Sequence, residues 1–342
     1  MGRWPLHFYH IINIQIKTKI SWWLYFIVLY ILEFVYAKRV ACWETNEDTV
    51  KGMSYLNGYL YFVFASSTSI SVYSATKPFT LLQRIAAETI SSPRDIIACP
   101  KNECLYVADS CGIWRVNVLE VSKSEQKIDC KRWLKSITVK AVSSARDGNI
   151  LVTESQRLCI LDYNGELVYE VPLDRRDLRG IYHAVEMPSG TLVVCQTDIA
   201  KDFGQRILAI NQNGELVRSY GGKAGEECGQ LNGPCYAIRD ADRGWLFVAD
   251  YVNHRVLLFD GDLKCHGVLV KHAMDFTKKL CYVSSSKRLV LGMSCYGVVE
   301  VYRVFENRWK WQSLSTLLNL VVAYRCLPDI LWIWPWYLEA KP

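Results

Sequence analysis

The chain has no N-x-Ser/Thr sequon, although it carries 13 Asn among its 342 residues. A lumenal or extracellular chain of this size usually displays one or two, so the absence leans toward the cytosol. None of its 13 cysteines falls in a CxxC or Cys/His ligand spacing, which excludes zinc-finger modules. An excess of one charge is also missing from the central part. Between Val40 and Asn307 there are 31 Lys+Arg and 31 Asp+Glu, so the formal +6 belongs to the two tails. That excludes the overall basicity of a phosphate-binding surface and leaves room only for a local basic patch. No Ser–His–acid motif is present. Most cysteines read as buried free thiols in a reducing compartment; disulfides of Cys99 with Cys104 or Cys111 are the alternative.

What is present is a repeat. Gln230 to Gly261 reads as an antiparallel meander. Asn232-Gly233-Pro234 is a turn, Tyr236–Arg239 a short strand and Asp242-Arg243-Gly244 a second turn. Trp245–Ala249 is an apolar run, and Arg255–Phe259 is the next strand. Apolar runs like Leu246–Asp250 recur with starts at 62, 105, 150, 192, 246 and 289, giving steps of 43, 45, 42, 54 and 43. The long step is assigned to an insertion, Asp198 to Gln205, in the fourth unit. Each run follows a short strand (Asp95–Cys99, Thr138–Ser143, His183–Met187, Tyr236–Arg239, Leu280–Ser284) and precedes another apolar strand. Two units share the next turn almost verbatim, Tyr163-Asn-Gly-Glu-Leu-Val168 and Gln212-Asn-Gly-Glu-Leu-Val217. A period of 40–50 residues with four strands per unit predicts an all-β, six-bladed β-propeller of four-stranded blades.

Gly233-Pro234, Val248-Ala249-Asp250 and Asn253-His254-Arg255-Val256 resemble the NHL repeat, a blade unit of six-bladed propellers of the NHL/TolB-like type. The resemblance is strongest over that one blade and nearest to the NHL domains of tripartite-motif proteins. In those, separate RING and B-box modules supply ligase activity, and this chain has no such Cys/His array. The resemblance therefore implies a recognition platform rather than a ligase.

Three segments follow: 1–39, 40–307 and 308–342. The first contains the apolar run Ile20–Tyr36, which reads as a signal anchor, a signal peptide or an extension outside the propeller. The localisation is accordingly membrane-anchored or secretory in the first two readings and cytoplasmic in the third. The second is the propeller, read as monomeric, its ring closed by Arg39–Trp43 in preference to Trp309–Leu314. The third is an unassigned tail, broken by Arg325, Pro328, Asp329 and Pro335.

Candidate site residues fall into three groups. Asp109, Glu154, Asp250, Asn253, His254 and Arg255 sit at strand turns and read as structural parts of the repeat. Lys131, Arg132, Trp133, Arg175, Arg176, Arg179 and Tyr182 would form a binding patch of cations and stacking aromatics. His183 and His272 are placed at or just before innermost strands, but no three-histidine set is evident, so no metal and no cofactor are expected. The function expected is a non-catalytic module, not an enzyme, that binds a protein partner through propeller loops. The alternatives are an RNA-binding NHL domain and a channel-metal enzyme of lyase or lactonase type.

Overall fold

The computed structural model describes residues 35–118, 130–136, 138–173, 180–198, 204–240, 242–272, 276–294 and 297–306. The apolar run up to Phe34, the tail from 307, and Arg175, Arg176 and Arg179 lie outside them. Among the described residues no helix is long and apolar enough to cross a membrane.

The chain enters on β1 (Val35–Glu44) and then lays down blades in order. Blade one is β2 (Val50–Leu56), β3 (Tyr59–Phe64), β4 (Ser69–Ser74) and β5 (Leu81–Ala86). Blade two is β6 (Asp95–Cys99), β7 (Cys104–Ala108), β8 (Gly112–Asn117) and β9 (Cys130–Lys135). Blade three is β10 (Val139–Ser144), β11 (Ile150–Glu154), β12 (Arg157–Leu161) and β13 (Leu167–Pro172). Blade four is β14 (Ile181–Glu186), β15 (Leu192–Asp198), β16 (Gly204–Ile210) and β17 (Leu216–Gly222). Blade five is β18 (Pro234–Asp240), β19 (Trp245–Asp250), β20 (Arg255–Phe259) and β21 (Cys265–Lys271). Blade six is β22 (Thr277–Val283), β23 (Arg288–Met293) and β24 (Val298–Glu306), with β1 as its fourth, outermost strand. All six sheets are antiparallel and four-stranded, simple meanders in blades one to five, and the first strands of successive blades touch in a ring, β22 returning to β2. The six-bladed β-propeller expected from the repeat is the fold.

The second strands read as continuous apolar runs because blades cover both of their faces. β7 and β11 are buried along their whole length. Cores lie between neighbouring blades: Tyr61, Ile70 and Ile85 of blade one pack with Ile96, Leu105 and Val107 of blade two. Burying each such side chain contributes roughly 1.5–3 kcal/mol. Outermost strands face water, so Leu167, Val168, Leu216 and Val217 stand exposed. The shared Asn-Gly turns are held alike: Asp162 Oδ1 accepts from the N–H of Asn164 and Glu166, and Asn211 Oδ1 from Asn213 and Glu215. Gly165 and Gly214 take φ +88° and +82°, where a β-carbon would be strained.

Two details of the repeat are corrected. Gly52 pairs with Val63 as Tyr236 pairs with Ala249, so the anchor of blade one begins at Leu60, two residues earlier than the apolar pattern suggests. The extra length of blade four is shared between a long β15–β16 hairpin and the connection from Gly222 to Pro234. Apolar content alone could not fix register in strands with two buried faces.

The ring closes from the N-terminal side, and β1 starts at Val35, inside the end of the apolar run. Trp43 stacks on Phe79 at 5.2 Å and faces Tyr73 at 6.0 Å, and Tyr36 stacks on Phe305 at 5.0 Å. Trp43→Ala should therefore cost about 2–4 kcal/mol in urea unfolding of the full chain. A loss below about 0.5 kcal/mol would mean that this strand does not hold the ring shut.

Candidate functional site

Strand register places one residue from each blade at the same height in the central channel. Gly52, Asp95, Ala141, His183, Tyr236 and Lys279 each pair with the equivalent position of their second strand: Val63, Ala108, Thr153, Cys195, Ala249 and Gly292. Four of these six are polar or ionisable, and they meet. Asp95 of blade two and Tyr236 of blade five come from opposite sides of a six-membered ring, yet the Tyr236 hydroxyl donates to Asp95 Oδ1 at 3.2 Å. Lys279 Nζ of blade six lies 3.1 Å from the same oxygen and 4.4 Å from the Tyr236 ring centre. His183 of blade four stacks on Tyr236 with ring centres 3.8 Å apart. The cluster thus closes the channel on its axis.

Its electrostatics follow from burial. Asp95 is fully buried, which raises its pKa; Lys279 and the N–H groups of Val142 and Ile96 oppose that rise. Burial also pushes the Tyr236 phenol well above its ordinary value, with Asp95 adding to the effect. His183 is held well below its ordinary value by burial and then by the Lys279 charge, so it is neutral at pH 7. The Ala237 N–H donates to His183 Nδ1 at 3.4 Å. The neutral ring then carries its proton on Nε2. That donor is buried without a hydrogen-bond partner, 4.0 Å from Asp95 Oδ2.

Above this floor, where the inner strands end, lies a chamber of about 430 Å³ whose lining includes His183, Tyr236, Ser144, Arg239, Tyr282 and Ser284. Ser54 and Ser143 also reach it, but both are engaged between blades, with Ala98 N–H and Ala184 C=O. Arg239 is half-buried, burial lowers its pKa, and no described residue pairs with it. The chamber is therefore lined by hydroxyls, one guanidinium without an ion pair among the described residues, and the neutral imidazole of His183.

The residues read from the turns have other tasks. Asp250 Oδ2 receives Arg255 Nε and Asn253 Nδ2, both at 2.7 Å, and Oδ1 receives Asn232 N–H at 2.6 Å. Asp109 receives the N–H of Cys111 and Gly112 and the Trp114 indole. Glu154 receives Arg157 at 2.5 Å and Ser136 at 2.6 Å, and His254 takes φ +52° within its turn. These groups clamp the loop between second and third strands.

Of the basic patch, only Lys131, Arg132, Trp133 and Tyr182 lie among the described residues. Lys131, Arg132 and Trp133 lie on β9, an outermost strand, whereas Tyr182 lies on the innermost β14. Arg132 sits over Trp114 at 4.8 Å, and Trp133 packs on Tyr106 and donates to Tyr163 C=O at 2.9 Å, so neither ring is free to stack a base. His272 is likewise not in the channel: it follows the outermost β21 and faces Glu300 of β24 at 3.5 Å. All eleven described cysteines are free thiols. No group of three or more His, Cys, Asp or Glu suited to a metal occurs among the described residues.

No protein-family model and no curated protein matches the chain. Among solved structures it is similar to the PQQ-bound form of an aldose sugar dehydrogenase from Streptomyces coelicolor. The TM-score is 0.59 at 11% identity, over 79% of this chain and 98% of that one, a likeness that shows the propeller fold. The expectation of a non-catalytic recognition module is corrected here. The similar structure is an enzyme, and the channel holds a buried set of ionisable groups beside a chamber, which loop-based recognition does not require. Asp95, Tyr236, Arg239 and Lys279 escaped sequence reasoning. For Asp95, Tyr236 and Lys279 the signal was a shared register position, the inner-strand residue that pairs with the fourth residue of each apolar run; Arg239 lies three residues further along β18.

Two outcomes test this geometry. Lys279→Met leaves the Asp95 charge uncompensated and should cost about 3–5 kcal/mol, much of it recovered by adding Asp95→Asn. Below pH ~6.5 the unfolded chain takes up a proton that folded His183 refuses. Stability present above that pH is therefore lost as pH falls, at up to about 1.4 kcal/mol per unit. His183→Gln should remove that slope from unfolding measured between pH ~6.5 and ~5; an unchanged slope would show His183 charged in the fold.

Proposed function

We propose that this propeller is an enzyme that takes a small, hydroxyl-rich molecule of the sugar or sugar-lactone class into the axial chamber. Acid–base chemistry would occur where the chamber meets His183 and Tyr236. The observation that carries the reading is the buried His183 Nε2–H. The His183 residue lines the chamber, and this N–H is itself buried with no hydrogen-bond partner, although buried donors are almost always satisfied. A substrate carbonyl or hydroxyl oxygen would accept from it.

Each neighbour has a role in this reading. Lys279 and Tyr236 hold Asp95 in place, and the neutral, tautomer-fixed imidazole polarises the substrate oxygen without carrying a charge into the site. The Tyr236–Asp95 hydrogen bond gives a proton a path away from the chamber floor. Arg239 anchors an electron-rich part of the substrate, and Ser144, Ser284 and Tyr282 supply the small exchanges of hydrogen bonds that polyols need. The likeness to an aldose sugar dehydrogenase supports the substrate class. Its PQQ is not carried over. A tricarboxylate cofactor calls for several cations, and Arg239 is the one cation among the described lining residues of the chamber. The blades we assign to the NHL type, supported by the Asp250–Asn253–Arg255 clamp, whose residues carry that resemblance.

The full chain should turn over, or be thermally stabilised by, members of a panel of aldoses and aldonolactones. His183→Gln should lower kcat/KM by roughly 10²–10⁴-fold with the protein still folded, and Arg239→Gln should raise KM with a smaller effect on kcat. Absence of both turnover and stabilisation across the panel refutes the reading.

A further inference from the structure

The opposite mouth of the channel, where the inner strands begin, has a different chemistry. Five inner strands carry a bulge just before the axial layer, and the bulged residues are Lys51, Lys140, Tyr182, Cys235 and Lys278. In blade two the corresponding place, one residue before Asp95, belongs to Arg94. Four of the six positions around this mouth are therefore cations, at the same height on four blades.

The cations are held at the rim. Arg94 Nη1 donates to Val139 C=O at 2.6 Å, and Lys140 Nζ donates to Ile181 C=O at 2.8 Å. Each thus reaches across to the first residue of the next blade's inner strand. Lys140 also lies 5.8 Å from the Tyr182 ring centre. Arg94, Lys51, Lys140 and Lys278 are all half-buried. None of the four forms an ion pair with a described residue. The carboxylates at this end are committed elsewhere: Asp109 to its turn and Trp114, Glu154 to Arg157, Asp250 to Arg255. Asp48 accepts from Ala65 N–H and is also bonded to Ser66. One layer down, the Lys279 charge is matched by Asp95.

A ring of like charges with too little counter-charge destabilises a fold, and burial worsens it: Lys51 is pulled down by desolvation and then by Lys278 and Lys279, which outweigh the nearby Asp48, and Lys140 is pulled down by desolvation. Such a violation of local rules marks a place where something else supplies the missing charge. In blades one, three and six the bulge sets the lysine one step before the axial layer; blade two has no bulge, and Arg94 is simply the residue that precedes Asp95. We infer that the strand-start mouth binds a small multivalent anion, of the phosphate-ester or polycarboxylate class, centred between Lys51, Arg94, Lys140 and Lys278. Backbone carbonyls already hold two of the cations in place, so the site is preorganised; Lys51 and Lys278 form no ion pair with a described residue, and Asp48 only partly offsets the Lys51 charge.

This site lies on the other side of the axial cluster from the chamber, and binding there does not depend on turnover in the chamber. Calorimetric titration of the full chain with pyrophosphate, and separately with citrate, at constant ionic strength tests it. At least one should bind at one per chain, and which one does so separates the phosphate from the carboxylate source. The double variant Lys51→Gln/Lys278→Gln should bind at least tenfold more weakly. Its unfolding temperature without ligand should be equal or higher, because a repulsive pair has been removed. Failure of both anions to bind, undiminished binding by the double variant, or a lowered ligand-free unfolding temperature would each overturn the inference. Lys140→Gln, which removes a different cation of the ring, should weaken the same anion, and undiminished binding there overturns it as well.

Discussion

One carboxylate ties the ring together. Asp95 leaves blade two for the axis, where it accepts from Val142 N–H of blade three, Tyr236 of blade five and Lys279 of blade six, with His183 of blade four beside it. Blade one meets it through Gly52, where a β-carbon would come within 2.6 Å of the Ile96 nitrogen and 2.9 Å of the Asp95 backbone. A charge taken out of water must be met on every side, and here the neighbours that meet it come from all five other blades. The height and phase of the blades around the channel are in this way fixed by polar contacts, whereas the apolar cores between blades specify only that neighbours pack.

Much of the fold was legible in the chain. The steps between apolar runs identify the blades, because a strand buried on both faces must be apolar throughout, and Asn-Gly marks the turns into the outermost strands. Register was less legible. In blade one, Leu60 to Phe64 is apolar at every position, and nothing in such a run says where pairing begins. The axial site was hidden for a related reason. Asp95, His183, Tyr236 and Lys279 are far apart in sequence and chemically unlike, so no spacing links them. Only superposition of the repeats on their bulges brings them to one height. The turn residues, by contrast, formed a conspicuous motif whose work is local: Asp250, Asn253 and Arg255 tie down a loop. Conspicuous motifs in a repeat protein report the repeat, and exceptional residues at repeated positions report the function.

The two ends of the channel also differ in the way their polar groups are used. At the chamber end, serine hydroxyls bridge blades and the one guanidinium, Arg239, feels both Glu186 and Arg146 without forming an ion pair among the described residues. At the other end, cations crowd at one height. Between them stands the Asp95–Lys279 ion pair, whose opposite charges offset each other, so the axial layer adds little charge to either end.

Blade six joins the two ends of the chain: its first three strands finish at Glu306, and its fourth is Val35–Glu44. On a ribosome this outer strand is the first of the described strands to be made and its partner, β24, is the last of them. The early strand therefore waits with its backbone donors and acceptors open while more than two hundred residues are made. Any stop in synthesis before Val298 leaves a ring with a gap and an uncovered edge, the form most prone to join another copy. A chain lengthened within an outer turn such as Asp162–Glu166 would lose nothing of that closure. Tolerance in this molecule is thus distributed by radius and by time of emergence, rather than by distance along the sequence.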